Sequence, residues 1–304
     1  MALCCSDGGS LTMRDLQYHR PATLRDACLL GARLGDRGAF LAGGTELIPD
    51  YQRGRETATE LISLGAIAEL RGIAVDDGML HIGGLTTVAK IAGSQKVETW
   101  LPALSEAARA LGSAQIRSRA TIGGNFCRAV SCADLPPVAL VANALLRIAS
   151  HDAVREVAVA DFFTGPRMTV LAPGELLVEV RIPRPSAHSG SSFQRFGLRS
   201  GPAVAVASVA ARIQLKGGRI ADAAVALGAV APTPVLVSQL PSILVGEEPS
   251  AELFERAAAV CIDASRPIGD IRGSADFRRE ITGVLARRAL QRAAERALAE
   301  SMLS

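Results

Sequence analysis

The chain has 304 residues, of which 49% are hydrophobic and 21% charged. That much aliphatic surface offsets the entropy of ordering and excludes intrinsic disorder, while 29 Gly and 15 Pro are near average usage and exclude collagen-like and low-complexity classes. Lys plus Arg number 33 against 30 Asp plus Glu, a net charge of +3, and no basic run or aromatic-basic ladder marks a dedicated nucleic-acid binder.

The length allows about two folding units of roughly 100–200 residues each. Aromatic residues are only 4%, with one Trp, so the core has to be built from Ala, Val, Leu and Ile. No apolar stretch reaches about 18 residues, which leaves no candidate membrane span. Met1 to Asp7 lack a basic cap followed by an apolar core, so residues 1–13 read as a ragged leader and not as a secretory signal. The six cysteines, Cys4, Cys5, Cys28, Cys127, Cys132 and Cys261, are scattered; this is no disulfide framework, and a reducing cytoplasm is the expected compartment. Cys127 and Cys132 are spaced like neither a zinc ribbon nor a ferredoxin run, so the chain is expected to carry no iron–sulfur cluster of its own.

In chain order, the pattern predicts a helix over Pro21–Leu34 stopped by Gly35, a short strand Ala39–Ala42 running into Gly43-Gly44-Thr45, and a strand Glu60–Leu64. Gly72–Val75 and Met79–Ile82 flank Asp76-Asp77-Gly78, a hairpin signal because Asp-Gly tolerates positive φ. Helices follow over Thr86–Ala92 and Pro102–Leu111, the second with Leu101, Leu104, Ala108 and Leu111 on one face. Arg119-Ala120-Thr121-Ile122 reads as an apolar strand leading into Gly123-Gly124, and Pro136–Asn143 as a helix opened by proline. Leu176–Ile182 is a strand closed by Pro183, and the Pro- and Ser-rich stretch 183–192 is the best linker in the chain. Beyond it, Ala203–Leu215 and Arg219–Gly228, joined by Lys216-Gly217-Gly218, predict a β-hairpin. Helices Ala251–Asp263 and Asp276–Leu303 close an α+β chain with a break near residue 188.

The candidate chemistry sits in two loops, Leu41-Ala42-Gly43-Gly44-Thr45-Glu46-Leu47 and Thr121-Ile122-Gly123-Gly124-Asn125. Consecutive glycines let backbone approach a ligand closely and turn N–H groups inward as an anion-binding nest. Thr45 and Thr121 add hydroxyls and Asn125 an amide, so two such loops could hold the two phosphates of a dinucleotide. Taken alone, each Gly-Gly pair after a strand is usually just a turn. Neither has Walker or G-x-G-x-x-G spacing. His19, His81, His151 and His188 lack metal-ligand spacing, and no G-x-S-x-G elbow is present. Arg272, Arg278, Arg279, Arg287, Arg288 and Arg292 are read as a solvated basic face, with a subunit interface as the alternative.

Six ordered motifs carry a resemblance over residues 14–298. They are Ala42-Gly43-Gly44-Thr45-Glu46-Leu47, Gln115 to Asn125, Ala133-Asp134-Leu135-Pro136-Pro137, Phe162 to Arg167, Glu175-Leu176-Leu177 running to Ile182-Pro183, and Asp270 to Arg279. The sequence resembles the FAD-binding medium subunits of the molybdenum hydroxylases, the xanthine dehydrogenase and carbon monoxide dehydrogenase flavoprotein family. The resemblance implies an α+β fold: a PCMH-type two-subdomain FAD-binding domain over 14–185 (subdomains about 14–66 and 67–185), a linker at 186–192, and a smaller C-terminal domain of antiparallel sheet and helices over 193–304. It implies FAD as cofactor, with the two glycine loops as halves of a diphosphate cradle. It places Asp134 at the ribose or adenine side, helix capping being its other reading, and Leu177 near the flavin, strand burial being its equal alternative. It implies a molybdopterin-binding large subunit and a 2Fe–2S small subunit as partners. NAD, oxygen, a quinone or ferredoxin would be the electron acceptor, with no nucleic acid and no catalytic side chain. Two rival readings are a flavoenzyme of the vanillyl-alcohol-oxidase type acting alone and a structural subunit that has lost flavin. The family usually has an Asn-Ala-Ser-Pro-like run after the second loop, where this chain has Cys127-Arg128-Ala129-Val130-Ser131-Cys132. Arg128 is therefore either a cation near the phosphates or a solvated surface residue.

Overall fold

The computed structural model describes residues 16–199 and 203–303; the leader assigned to residues 1–13 lies outside them. The described residues build three larger sheets in sequence, with a two-stranded pair inserted in the second unit. The first unit alternates strand β1 (Gln17–His19), helix α1 (Leu24–Leu34), β2 (Gly38–Leu41), α2 (Leu47–Gln52) and β3 (Glu60–Ser63). Its strands pair in parallel in the order β1-β3-β2. Helix α1 starts three residues after the predicted Pro21 because Thr23 is its cap, accepting the Asp26 N–H at 3.1 Å.

The second unit opens with the hairpin β4 (Ile73–Asp76) and β5 (Met79–Gly83). Asp77 and Gly78 take φ +45° and +69°, the left-handed pair a two-residue turn demands. Six short helices follow: α3 (Val88–Ala92), α4 (Gln95–Trp100), α5 (Pro102–Ala110), α6 (Ala114–Arg119), α7 (Ile122–Cys127) and α8 (Leu135–Val141). Then come β6 (Leu145–Ala149), β7 (Val154–Ala158), the small pair β8 (Phe163–Gly165) and β9 (Met168–Thr169), and β10 (Leu176–Pro183). The sheet order β4-β5-β10-β6-β7 inserts β10 between earlier strands, so the last strand of this unit closes it. The helices bury Leu104, Ile122, Phe126 and Leu135 against Leu80, Ile82 and Val180 of the sheet.

The third unit is the antiparallel sheet β11 (Ser189–Phe196), β12 (Ala207–Lys216), β13 (Arg219–Gly228) and β14 (Val235–Leu236), followed by α9 (Pro241–Leu244), α10 (Ala251–Ala264) and α11 (Ala275–Leu303). The predicted Gly-Gly turn joins β12 to β13, with Gly217 and Gly218 at φ +60° and +78°. Two expectations shift here. Ser189 to Ser192, read as linker, are strand, because they pair along β12 from Gln214 to Ala211. Arg278, read as part of a solvated basic face, is 3% exposed and donates to the carbonyls of Val206 (2.7 Å) and Ala229 (3.2 Å) and to Asp270 (2.8 Å). Those bonds seat the start of α11 on β12 and β13. The third unit is tied to the second by the Phe193 N–H donating to Glu106 (2.8 Å) and by Arg296 on the same carboxylate. No helix of the described residues is long and apolar enough to cross a membrane.

Candidate functional site

Where the three units meet lies a cavity of about 520 Å³, within the range of a cofactor site. One wall is the first glycine loop, from the end of β2 into α2. The opposite wall is Thr121, Gly124 and Asn125 at the start of α7, with Cys132, Ala133 and Asp134 beyond. The rim adds Leu111-Gly112-Ser113 and Ile116 from around α5 and α6, and Ala203-Val204-Ala205 from the third unit.

The first loop is open for a ligand. Gly44 has φ +73°, a backbone state that glycine adopts freely. Among the described residues, the backbone N–H groups of Gly43, Gly44, Thr45, Glu46 and Leu47 make no hydrogen bond. They lie at the partly exposed start of α2, where the first donors of a helix have no intrahelical acceptor, and together they form a run suited to an oxygen-rich anionic ligand. Gly43 has a second task, because a Cβ there would run into the Arg119 carbonyl across the crevice.

The second loop behaves differently from the sequence reading. It follows a helix, α6, and not a strand, and Gly123 and Gly124 lie inside α7. Its N–H groups are already committed: Ile122 to the Thr86 carbonyl (3.1 Å), Gly123 to Gly84 (2.9 Å), Gly124 to the Thr121 hydroxyl (3.1 Å) and Asn125 to the Thr121 carbonyl (3.0 Å). This wall offers side chains in place of amides. Gly123 serves packing, as a Cβ would lie 2.7 Å from the Gly84 oxygen. Gly84 in turn rests on the Leu177 carbonyl and donates its N–H to Val178 (2.7 Å), the residue left over at a bulge in β10.

Of the residues expected at the site, Ala42, Gly43, Gly44, Thr45, Glu46, Leu47, Thr121, Gly124, Asn125 and Asp134 line the cavity. Leu41, Ile122, Gly123 and Leu177 do not: Leu41 ends β2 and accepts the Leu64 N–H (3.0 Å), and Ile122 and Leu177 sit in the core of the second unit. Asp134 precedes α8 but makes no capping hydrogen bond. It is 5% exposed, and burial pushes its carboxyl up to about 6 against the opposing pull of Arg195. Its Oδ1 lies 3.5 Å from Arg195 Nε, and neither atom has a hydrogen-bond partner. Asn125 Oδ1 is likewise buried without a donor. Buried acceptors in this state call for ligand hydroxyls or amides.

Sequence reasoning missed several lining residues. Leu111 ends a predicted helix, Ile116 stands in the Gln115 to Asn125 motif without a site role, and Gly112, Ser113 and the cavity-facing Ala203 to Ala205 have no local signal. Cys127 and Cys132 both line the cavity. Cys127 is exposed and Cys132 partly buried.

Comparison with known proteins identifies the family of the chain. Residues 14–185 match the family described as FAD binding domain in molybdopterin dehydrogenase, and residues 192–293 the CO dehydrogenase flavoprotein C-terminal domain. The chain belongs to the FAD-binding medium chains of the carbon monoxide and xanthine dehydrogenase family. This medium chain is 32% identical over 280 residues to the carbon monoxide dehydrogenase medium chain of Afipia carboxidovorans, covering 92% of this chain and 97% of that one. It is 30% identical to the putative xanthine dehydrogenase FAD-binding subunit of Escherichia coli K12, covering 91% and 95%. Among solved structures it superposes on carbon monoxide dehydrogenase from Hydrogenophaga pseudoflava with TM-score 0.89 at 31% identity, covering 92% and 98%. Quinoline 2-oxidoreductase from Pseudomonas putida 86 gives TM-score 0.88 at 29% identity, covering 93% and 98%. The medium chain is therefore an oxidoreductase subunit of the molybdenum hydroxylase type, and its cofactor is FAD. The cavity's own chemistry fits that group: donors for a diphosphate on one wall, orphaned acceptors for hydroxyls on the other.

Proposed function

We propose that this medium chain relays electrons within a molybdopterin-dependent complex. A large molybdopterin subunit would oxidise the substrate, and a small subunit with 2Fe–2S clusters would deliver electrons to the FAD held here. NAD, oxygen, a quinone or ferredoxin would drain them. Bound FAD supplies the exchange between one-electron arrival and two-electron departure, a chemistry that no amino-acid side chain offers. The chain's own residues bind and orient. The N–H groups of Gly43 to Leu47 hold the diphosphate, and Asn125 and Asp134 accept hydroxyls of the sugar-derived part. Thr121 and Gly124 shape the facing wall, and Ala203 to Ala205 cover the cavity from the third unit. No side chain acts as acid or base in this reading, so none is catalytic.

The observation that carries it is the run of five N–H groups without protein partners on one wall of the cavity, with the buried, donorless Asn125 Oδ1 on the other. The test is the visible spectrum of the purified chain. A flavin spectrum at about one FAD per chain, as isolated or after reconstitution, is expected for a single diphosphate-holding crevice. A folded, colourless product that FAD does not reconstitute overturns the reading. Turnover of an organic substrate by the isolated chain would replace the relay with a stand-alone flavoenzyme.

A further inference from the structure

The second wall carries a cation that relay and cradle leave unexplained. Arg128 caps the C-terminus of α7 and lines the cavity. Its Nε donates to Glu46 Oε2 at 2.9 Å, and its Nη2 pairs with Asp50. Glu46 belongs to the open N–H run, and Asp50 is one helical turn further along α2, 5% exposed. Arg167 also reaches Asp50, at 3.3 Å, and its N–H donates to the Ala129 carbonyl at 2.8 Å. Arg128 thus joins the two walls through side chains, α7 on one side and α2 with its leading loop on the other.

We propose that Arg128 is a positioning residue for FAD that acts through Glu46 and not on the phosphates. The proposal rests on the reading that Gly43 to Leu47 hold the diphosphate. Glu46 brings a carboxylate into the very loop whose N–H groups await an anion, and an unpaired carboxylate there repels it. The Arg128 fork neutralises that charge and draws the carboxylate toward α7, which also fixes the loop's backbone. A guanidinium spent on Glu46 and Asp50 is not free to serve as counter-charge. Moving it to a phosphate would release the Glu46 carboxylate beside the same loop and leave Asp50 to Arg167 and Arg55.

The test is the FAD dissociation constant of flavin-free chain, read by flavin fluorescence, for wild type, Arg128→Gln, Glu46→Gln and the double variant. Arg128→Gln should bind about tenfold more weakly, in line with the usual coupling of contacting charges. In the Glu46→Gln background the same change should cost little, because the carboxylate it offsets is gone. The melting midpoint of each flavin-free variant separates this from unfolding, since Asp50 keeps Arg167 and Arg55. Full loss from Arg128→Gln in both backgrounds would place Arg128 on the phosphates and overturn the proposal, as would wild-type affinity in Arg128→Gln alone. Failure of wild type itself to bind FAD would instead strike the cradle reading.

Discussion

Gly44, at φ +73°, occupies backbone space that costs a β-branched residue about 1–3 kcal/mol, and its N–H is among those left open. Gly123 has ordinary φ and a committed N–H, and a Cβ there would press on the Gly84 oxygen at 2.7 Å. The two glycines therefore fail differently. Gly44→Val should abolish FAD binding while leaving a folded chain with a modestly lower melting midpoint. Gly123→Ala should lower the midpoint more, with the folded fraction still taking up FAD. Titration and thermal melting of both variants check this, and equal behaviour would refute the assignment. The sequence showed two like Gly-Gly pairs but not this division of labour, because hydrogen-bond commitment depends on Thr86 and Gly84, more than 35 residues upstream in chain order. Asp134 gives a pH prediction. Its carboxyl is raised by burial from 3.8 to about 6, so between about pH 4 and 6 the folded chain holds a proton that the unfolded chain has released. Folding stability of the flavin-free chain therefore gains from this group as pH falls through that window, and loses it as pH rises. Asp134→Asn should remove that slope from a series of melting midpoints across pH 4 to 7.

Helix and strand placement shows where local pattern suffices. The Asp77-Gly78 and Gly217-Gly218 turns were legible because each is a local steric requirement, whereas the Thr23 cap was passed over for a start at Pro21. Helices α6 and α7 were not, since Arg119 to Ile122 looks apolar and extended, while Ser113 and Thr121 cap two short helices around it. Ser189 to Ser192 looked like linker because small polar residues were counted and their pairing with β12 is non-local. The loop leading into α11 was flagged by its charge and by the Asp270 to Arg279 motif, but neither signal showed its bonding. There Asp270 is held at about 2, chiefly by the Arg272 side chain and further by the Arg272 N–H and Arg278. A carboxyl lowered on folding stabilises above about pH 4 and loses that contribution as pH falls toward 2. Arg278→Ala should cost about 3 kcal/mol in denaturant unfolding, because it strips buried carbonyls and one partner of Asp270 at once. A loss indistinguishable from that of exposed Arg279→Ala would contradict the buried role.

For the whole molecule, the cavity is assembled from all three units, so FAD should fold and hold them together. Ligand at a hundred times its dissociation constant adds about 2.7 kcal/mol to a fold that binds it only in the native state. The same placement explains why family resemblance predicted the cofactor while residue patterns alone did not: no single segment contains the site. The account stands or falls on the first loop holding the diphosphate. Amide hydrogen exchange of the chain, resolved to single residues and compared with and without FAD, measures this directly. FAD should protect the amides of Gly43 to Leu47 strongly and change those of Ile122, Gly123 and Gly124 little, as these are bonded already. Protection appearing at Ile122 to Gly124 with none at Gly43 to Leu47 would contradict it.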